Sequence, residues 1–294
     1  MTRTLSARKG LAMLFCLPAL CLAAQIPQTP DPALRDDYIA TETDEWPLDD
    51  ITEREIIAER SLLQPAGVRE ADILWEKTVW RVIDTREKMN LPFVFPDAPL
   101  FTILADAAKT GELPVYVEEQ GRLTRRIAPA AVYAKLVRRD TVYVYNIDKD
   151  AEEVMVVENE LNWADVRRFR IKETWYFDSR TSSLQVRILG IAPLLERYTD
   201  SEEYLGEEVL FWVHLPTARA LLARHEVFTP GGNTAATLSW ADWLDMRHFA
   251  GHIIKEQNVH GRRLEDYLAG ADLLLEADRI QQGIFNREHD LWSW

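Results

Sequence analysis

Among the residues able to do chemistry, the histidines come first. His248 and His252 stand four apart, and on a helix that spacing aims two imidazoles at one metal ion, with His260 as a third donor further on. Phe249, not a glutamate, follows His248, so the helical zinc-protease pattern, which needs that carboxylate as its base, is absent. Counted from Trp243 at 100° per residue, the pair falls opposite the apolar stripe of Trp240, Trp243, Met246, Ala250 and Ile253. That is the position of solvated or partner-facing side chains. The 48 acidic residues supply so many acid–base pairs that none is singled out. Gly231-Gly232 lies in Thr229-Pro230-Gly231-Gly232-Asn233, a loop without the Lys-Ser/Thr ending of a phosphate cradle. No Gly-x-Ser-x-Gly elbow presents a serine nucleophile. These patterns assign no catalytic, metal-binding or cofactor-binding residue, and no cofactor is expected.

Residues 1–24 have the build of a secretory signal: Arg3, Arg8 and Lys9, an apolar run from Leu11 to Leu22, then Ala23-Ala24. The run is roughly a dozen residues, below the ~20 of a spanning helix. Both cysteines, Cys16 and Cys21, lie inside it. Leu20 before Cys21 is too large for a good lipidation signal, so cleavage near Ala24 is expected instead. The mature chain then has no cysteine, hence neither a disulfide nor a thiol nucleophile, which suits the periplasm. Losing three cations takes the formal charge from -14 to -17. So acidic a chain repels phosphate, which argues against nucleic-acid binding. Ten tryptophans are many, and core packing is the plain reading. Interface use is the alternative.

The element expected to organise the rest is a β-hairpin over residues 169–191. Phe169, Ile171, Trp175 and Phe177 alternate with Arg170, Lys172, Thr174 and Tyr176. A polar turn, Asp178 to Ser183, leads into Leu184, Val186 and Ile188. Pairing should set Phe177 opposite Leu184 and Trp175 opposite Val186. Glu173 falls on the same apolar face, so it needs a basic partner from elsewhere or an edge position that leaves it wet. Arg86-Glu87-Lys88 is either the source of that partner or an exposed charged turn.

Elsewhere, Gln25 to about Glu70 reads as an arm rich in Pro and acid, with Trp46-Pro47-Leu48 as an anchor. Such an arm is either a solvated tail or a segment that orders across a neighbouring subunit. Asp72–Asn90 is expected to be a helix, and a second begins at Asp97-Ala98-Pro99 and ends at Gly111. Leu113–Val117 and Thr141–Tyr145 read as strands, Ala128–Val137 as a helix, and Asp148–Asp165 stays ambiguous. Tyr198–Glu208 reads as an acidic loop, and Val209–Val213 as one strand buried on both faces. Thr217 is expected to cap a helix carrying Leu221 and Leu222. Ser239, with Asp242 three on, should start a helix whose apolar face runs from Trp240 to Ile253. Leu264–Gln282 is a further helix interrupted by Gly270, before an acidic, aromatic tail from His289 to Trp294. The fold class is α+β. The folded domain is 71–294, with 71–165 and 166–294 as a division into sub-lobes.

Several segments, taken in order, resemble the GldN/PorN family of the Bacteroidetes type IX secretion and gliding machinery. They are Trp75-Glu76-Lys77 with Ile83 to Asn90, Lys172 to Asp178, Arg187 to Pro193, Phe211-Trp212-Val213 with Pro216 to Arg219, Asp245 to Phe249, and Ile254 to Asn258. The resemblance implies a non-enzymatic periplasmic scaffold that forms a ring beneath the outer membrane. Its implied partners are an outer-membrane lipoprotein of the PorK/GldK type and the motor's periplasmic shaft of the PorM/GldM type. It also implies self-assembly, peripheral association with the outer membrane, and no transmembrane segment in the mature chain. The readings from other classes are a periplasmic hydrolase or carbohydrate-binding protein that stacks sugars on its tryptophans, and a generic envelope binding protein.

Overall fold

The computed structural model describes residues 67–146, 151–199, 203–229 and 238–292. The expected signal 1–24, the arm up to residue 66 and the Pro230–Asn233 part of the glycine loop lie outside them. The alternation at the centre of the chain becomes two long antiparallel strands, β6 (Arg168–Asp178) and β7 (Ser183–Tyr198). Phe177 faces Leu184 and Trp175 faces Val186, as the pattern requires. A bulge between Lys172 and Glu173 twists the pair at its middle.

The main sheet is built outward from this hairpin. Its order is β12 (His252–Glu256), β1 (Ile73–Asp84), β6, β7, β9 (Trp212–His214), β2 (Val115–Glu119) and β3 (Arg122–Ile127), with β8 (Tyr204–Val209) also on β7. Every adjacent pair is antiparallel. Strands from 71–165 and from 166–294 are intermixed in this one sheet. Two further pairs lie off it: β4 (Val137–Asn146) with β5 (Ala151–Glu160), and β10 (Glu226–Val227) with β11 (Leu238–Ser239). The fold is α+β, centred on the hairpin.

Strand β1 overturns the helix expected over Asp72–Asn90. It runs beside β6 with Val79, Arg81 and Ile83 toward one face and Thr78, Trp80 and Val82 toward the other. All six are buried, so the alternation of polar and apolar types is lost, and Trp80 and Ile83 mimic helical spacing. The β-branched and aromatic content favours the strand. After it, Lys88–Val94 forms a 3-10 helix.

Helix α1 (Leu100–Thr110) follows Pro99 and stops at Gly111, whose φ of 81° only glycine adopts cheaply. Helix α2 (Pro129–Leu136) holds the expected position. The ambiguous stretch from Asp148 supplies β5, and the acidic loop supplies β8, which zips onto the end of β7. Leu210 to Val213 are buried as expected but are not one strand: Leu210 and Phe211 turn the corner between β8 and β9. Helix α3 (Leu215–Leu222) is flanked by His214 rather than capped by Thr217, which lies in the first turn and meets His214 Nδ1 through its hydroxyl at 2.8 Å.

Helix α4 (Trp240–Asp245) starts as expected, with Ser239 Oγ accepting from Asp242 N at 3.2 Å. It ends eight residues before Ile253. Arg247 adopts φ 57°, and the chain then enters β12, where Ile253 pairs with Arg81. Helix α5 (Ala271–Trp292) begins after Gly270 at φ 61° and continues past Gln282 into the acidic, aromatic tail. A 3-10 turn, Leu264–Asp266, precedes it.

One sheet face carries two cores. The larger packs Ile83, Phe169, Ile171 and Ile191 against the aromatic and aliphatic side chains of α1 to α4. The smaller packs Val79, Trp175 and Ile253 against Ala277, Ile280 and Ile284 of α5. The β2–β3 hairpin bends over the opposite face, where Trp80, Ala192 and Trp212 form a third cluster with Tyr116 and Leu123.

The close passage of β12 past β1 is tightest at Gly251, where an added Cβ would stand 2.5 Å from the Val82 carbonyl oxygen. Gly251→Ala is expected to lower stability by about 1–3 kcal/mol, the range for overpacking. Urea denaturation checks this, and an unchanged midpoint would contradict the packing described.

Candidate functional site

The charge that most needs explaining is Glu173, which has no exposed surface at all. Its position is set by β6, between Ile171 in the large core and Trp175 in the small one. Arg247 Nη1 stands 2.8 Å from Oε1, and Arg81 Nε 3.7 Å from the same oxygen. These are charge contacts without the alignment of hydrogen bonds. Trp175 Nε1 donates to Oε2 at 3.2 Å. The expected basic partner therefore exists twice over, and neither copy is Arg86, which turns out to solvent and pairs with Asp84.

Arg81 reaches further. Its Nη1 donates to the Gly251 carbonyl at 2.5 Å and to Gln281 Oε1 of α5 at 3.3 Å. Burial pushes its pKa below the usual value and Glu173 pulls it back. Arg247 lies over Trp175 at 5.1 Å and Phe249 at 5.2 Å, so its cation is shared between a carboxylate and two ring faces. The cluster joins the hairpin, β1, the turn after α4, and α5. Its chemistry is cohesion.

The histidine pair does not assemble. His248 sits in the exposed turn after α4, its ring 5.0 Å from that of Trp243, whereas His252 is on β12. No cluster of three metal-ligating side chains occurs among the described residues. His260 lines a different feature altogether.

That feature is a cleft of about 700 Å³ on the opposite face, between the β2–β3 turn and the loop that follows β12. Cross-strand register builds its floor: Trp80 is opposite both Lys172 and Lys255. The two ammonium groups stand 5.7 and 4.7 Å from the indole centroid. Trp80 Nε1 donates to Glu118 Oε1 at 2.7 Å, and Lys172 Nζ to the Gly121 carbonyl at 2.7 Å, which ties the β2–β3 turn down over the floor. Arg170 and Arg263 also line the cleft. Arg170 is 5% exposed, its Nε meets no protein acceptor, and its nearest carboxylate is Glu207, 3.8 Å from Nη2. Burial, and then the Arg263 guanidinium, push the Arg170 pKa down. The outer loop is fastened by Asn258, whose Nδ2 donates to the Glu256 and Arg262 carbonyls while Oδ1 accepts from Arg262 N.

The sequence pattern set Glu173 on the apolar face, with a basic partner or a wet edge as the two outcomes, but gave no sign of the cleft, whose cations come from distant segments. The tryptophans expected as core or as stacking platforms fall mainly to the core: Trp80, Trp175, Trp212, Trp240 and Trp243 are all buried.

Glu173→Gln leaves the buried Arg81 and the half-buried Arg247 guanidiniums without their shared counter-charge and is expected to cost roughly 3–5 kcal/mol, read as a lowered denaturation midpoint. A loss below 1 kcal/mol would contradict a buried ion cluster. His252 gives a pH signature. Burial, then Arg168, depress its pKa, so the folded state keeps it neutral while the unfolded chain protonates below about pH 6.5. The stability from this neutral ring is present above that pH and lost as pH falls. Stability measured at pH 7.5 and pH 5 should fall less for His252→Gln than for the parent, and parallel losses would refute this.

Comparison with known proteins follows the same segments. The family model for the gliding motility associated protein GldN matches residues 68–293, nearly the whole described chain. No curated protein matches. No helix among the described residues is long and apolar enough to cross a membrane. The matched range holds the central hairpin, the Glu173 cluster and the cationic cleft together, and the chain belongs to the GldN family of gliding-motility-associated proteins.

Proposed function

We propose that the chain is a structural subunit of a ring in the periplasm beneath the outer membrane, serving type IX secretion, gliding or both. An outer-membrane lipoprotein holds the ring in place, and the periplasmic shaft of the inner-membrane motor delivers force or conformational change to it. The observation that carries this reading is the family match over residues 68–293. The construction of the domain supports it. A subunit that passes force between neighbours gains from elements tied at a common centre, and the Glu173 cluster ties four. The signal-like segment 1–24, with its basic start and apolar core, fits export.

Co-expression with the outer-membrane lipoprotein of the same machinery tests this. The chain should fractionate with the outer membrane and appear as closed rings of high mass on imaging. A soluble monomer or dimer, unchanged by the lipoprotein, would overturn the reading.

A further inference from the structure

The cationic cleft has no part in the cohesion of the main cores, and its charge runs against that of the whole chain. With a formal charge of -14, this protein nonetheless lines one concavity with Arg170, Lys255 and Arg263, sets Lys172 beside its Trp80 floor, and has Glu118 as the carboxylate among its lining residues. Glu118 is already engaged by Trp80 Nε1. Arg170 is the telling member. A buried guanidinium is normally saturated by acceptors, because stripping its water without replacing it is costly. Here the one charged contact is Glu207 at 3.8 Å, and a second guanidinium, that of Arg263, shares the wall. Arg263 remains 41% exposed, with Nη1 on Glu265 at 2.8 Å. Two guanidinium forks lining a cleft with an indole floor suit planar carboxylates, and the cleft encloses about 700 Å³ between the fastened loop and the β2–β3 turn.

We propose that this cleft receives an acidic peptide segment, Asp36 to Asp50 of a neighbouring copy of the chain. The stretch DDYIATETDEWPLDD holds seven acidic residues and no basic one, and its four aromatic or large apolar side chains, Tyr38, Ile39, Trp46 and Leu48, suit the Trp80 floor. The assignment to a neighbour rests on the ring reading, because a closed ring needs two different patches that meet head to tail. The acidic stretch is one patch and the cleft the other. Contacts of this kind are salt-dependent, since they are partly exposed charge pairs.

A cysteine pair tests the contact in the full chain, with Cys16 and Cys21 replaced by Ser. Asp44→Cys is combined with Gln257→Cys on the exposed loop of the cleft. Oxidised assemblies should run as a ladder of covalent multimers on a non-reducing gel. Adding Lys255→Glu and Arg263→Glu should cut the cross-linked fraction at least fivefold, and adding Glu42→Lys and Glu45→Lys to those should restore it. Thermal melts confirm that each variant is folded. A fast-running single-chain species would overturn the neighbour assignment, and cross-links indifferent to charge reversal would overturn recognition by charge. Rings that assemble without any cross-link would refute this contact and leave the ring reading intact. A chain that stays single under all conditions removes both.

Discussion

A carboxylate shut away from water has to be met by charge, and most of this domain can be read from how Glu173 is met. Arg81 reaches it from the neighbouring strand and Arg247 from the turn after α4, while the Trp175 indole donates to it from its own strand. Each arrangement imposes something on the backbone. Arg247 turns inward from a left-handed conformation, which ends α4 after six residues. Arg81 passes beneath Gly251, where only a hydrogen in place of Cβ fits against Val82. The same guanidinium holds Gln281, so α5 is anchored to the sheet by a polar contact as well as by Ala277, Ile280 and Ile284. A buried cluster of this sort adds little net stability over apolar packing, but it penalises every arrangement that leaves one member alone. Here that penalty fixes which elements meet.

The two sheet faces divide the work. The Glu173 face is filled by two apolar cores with the ion cluster between them. The other face carries Arg170, Lys172 and Thr174 on β6, a polar surface that most sheets would leave in water. Instead the β2–β3 hairpin folds back over it, pinned by Lys172 to the Gly121 carbonyl and by Trp80 to Glu118. Burial of cations under a flap leaves a concavity with positive walls on an acidic protein.

What could be read in the amino-acid order was whatever depends on near neighbours. The central hairpin shows because one of its faces is apolar at every second residue and a polar turn separates its halves. Pro99, Gly111 and Ser239 mark helix ends through local backbone chemistry. Strand β1 was hidden because burial on both faces erased its alternation. The far end of α4 was hidden because its stop is tertiary: Arg247 is drawn to Glu173, and Ile253 to β1. The place of Glu173 on the apolar face followed from the pattern, whereas the choice between a wet edge and a basic partner, and the identity of that partner, depended on topology. The cleft was illegible for the same reason, since Trp80, Arg170, Lys255 and Arg263 converge only once the sheet order is known.

The most direct test of the central constraint is a double-mutant cycle between Glu173 and Arg247, using Glu173→Gln and Arg247→Gln with stabilities from chemical denaturation. If the carboxylate and the guanidinium are one buried unit, the two losses fall short of adding by at least about 1 kcal/mol. Losses that add to within about 0.3 kcal/mol would show that Glu173 and Arg247 act independently, and the domain would then need a different centre.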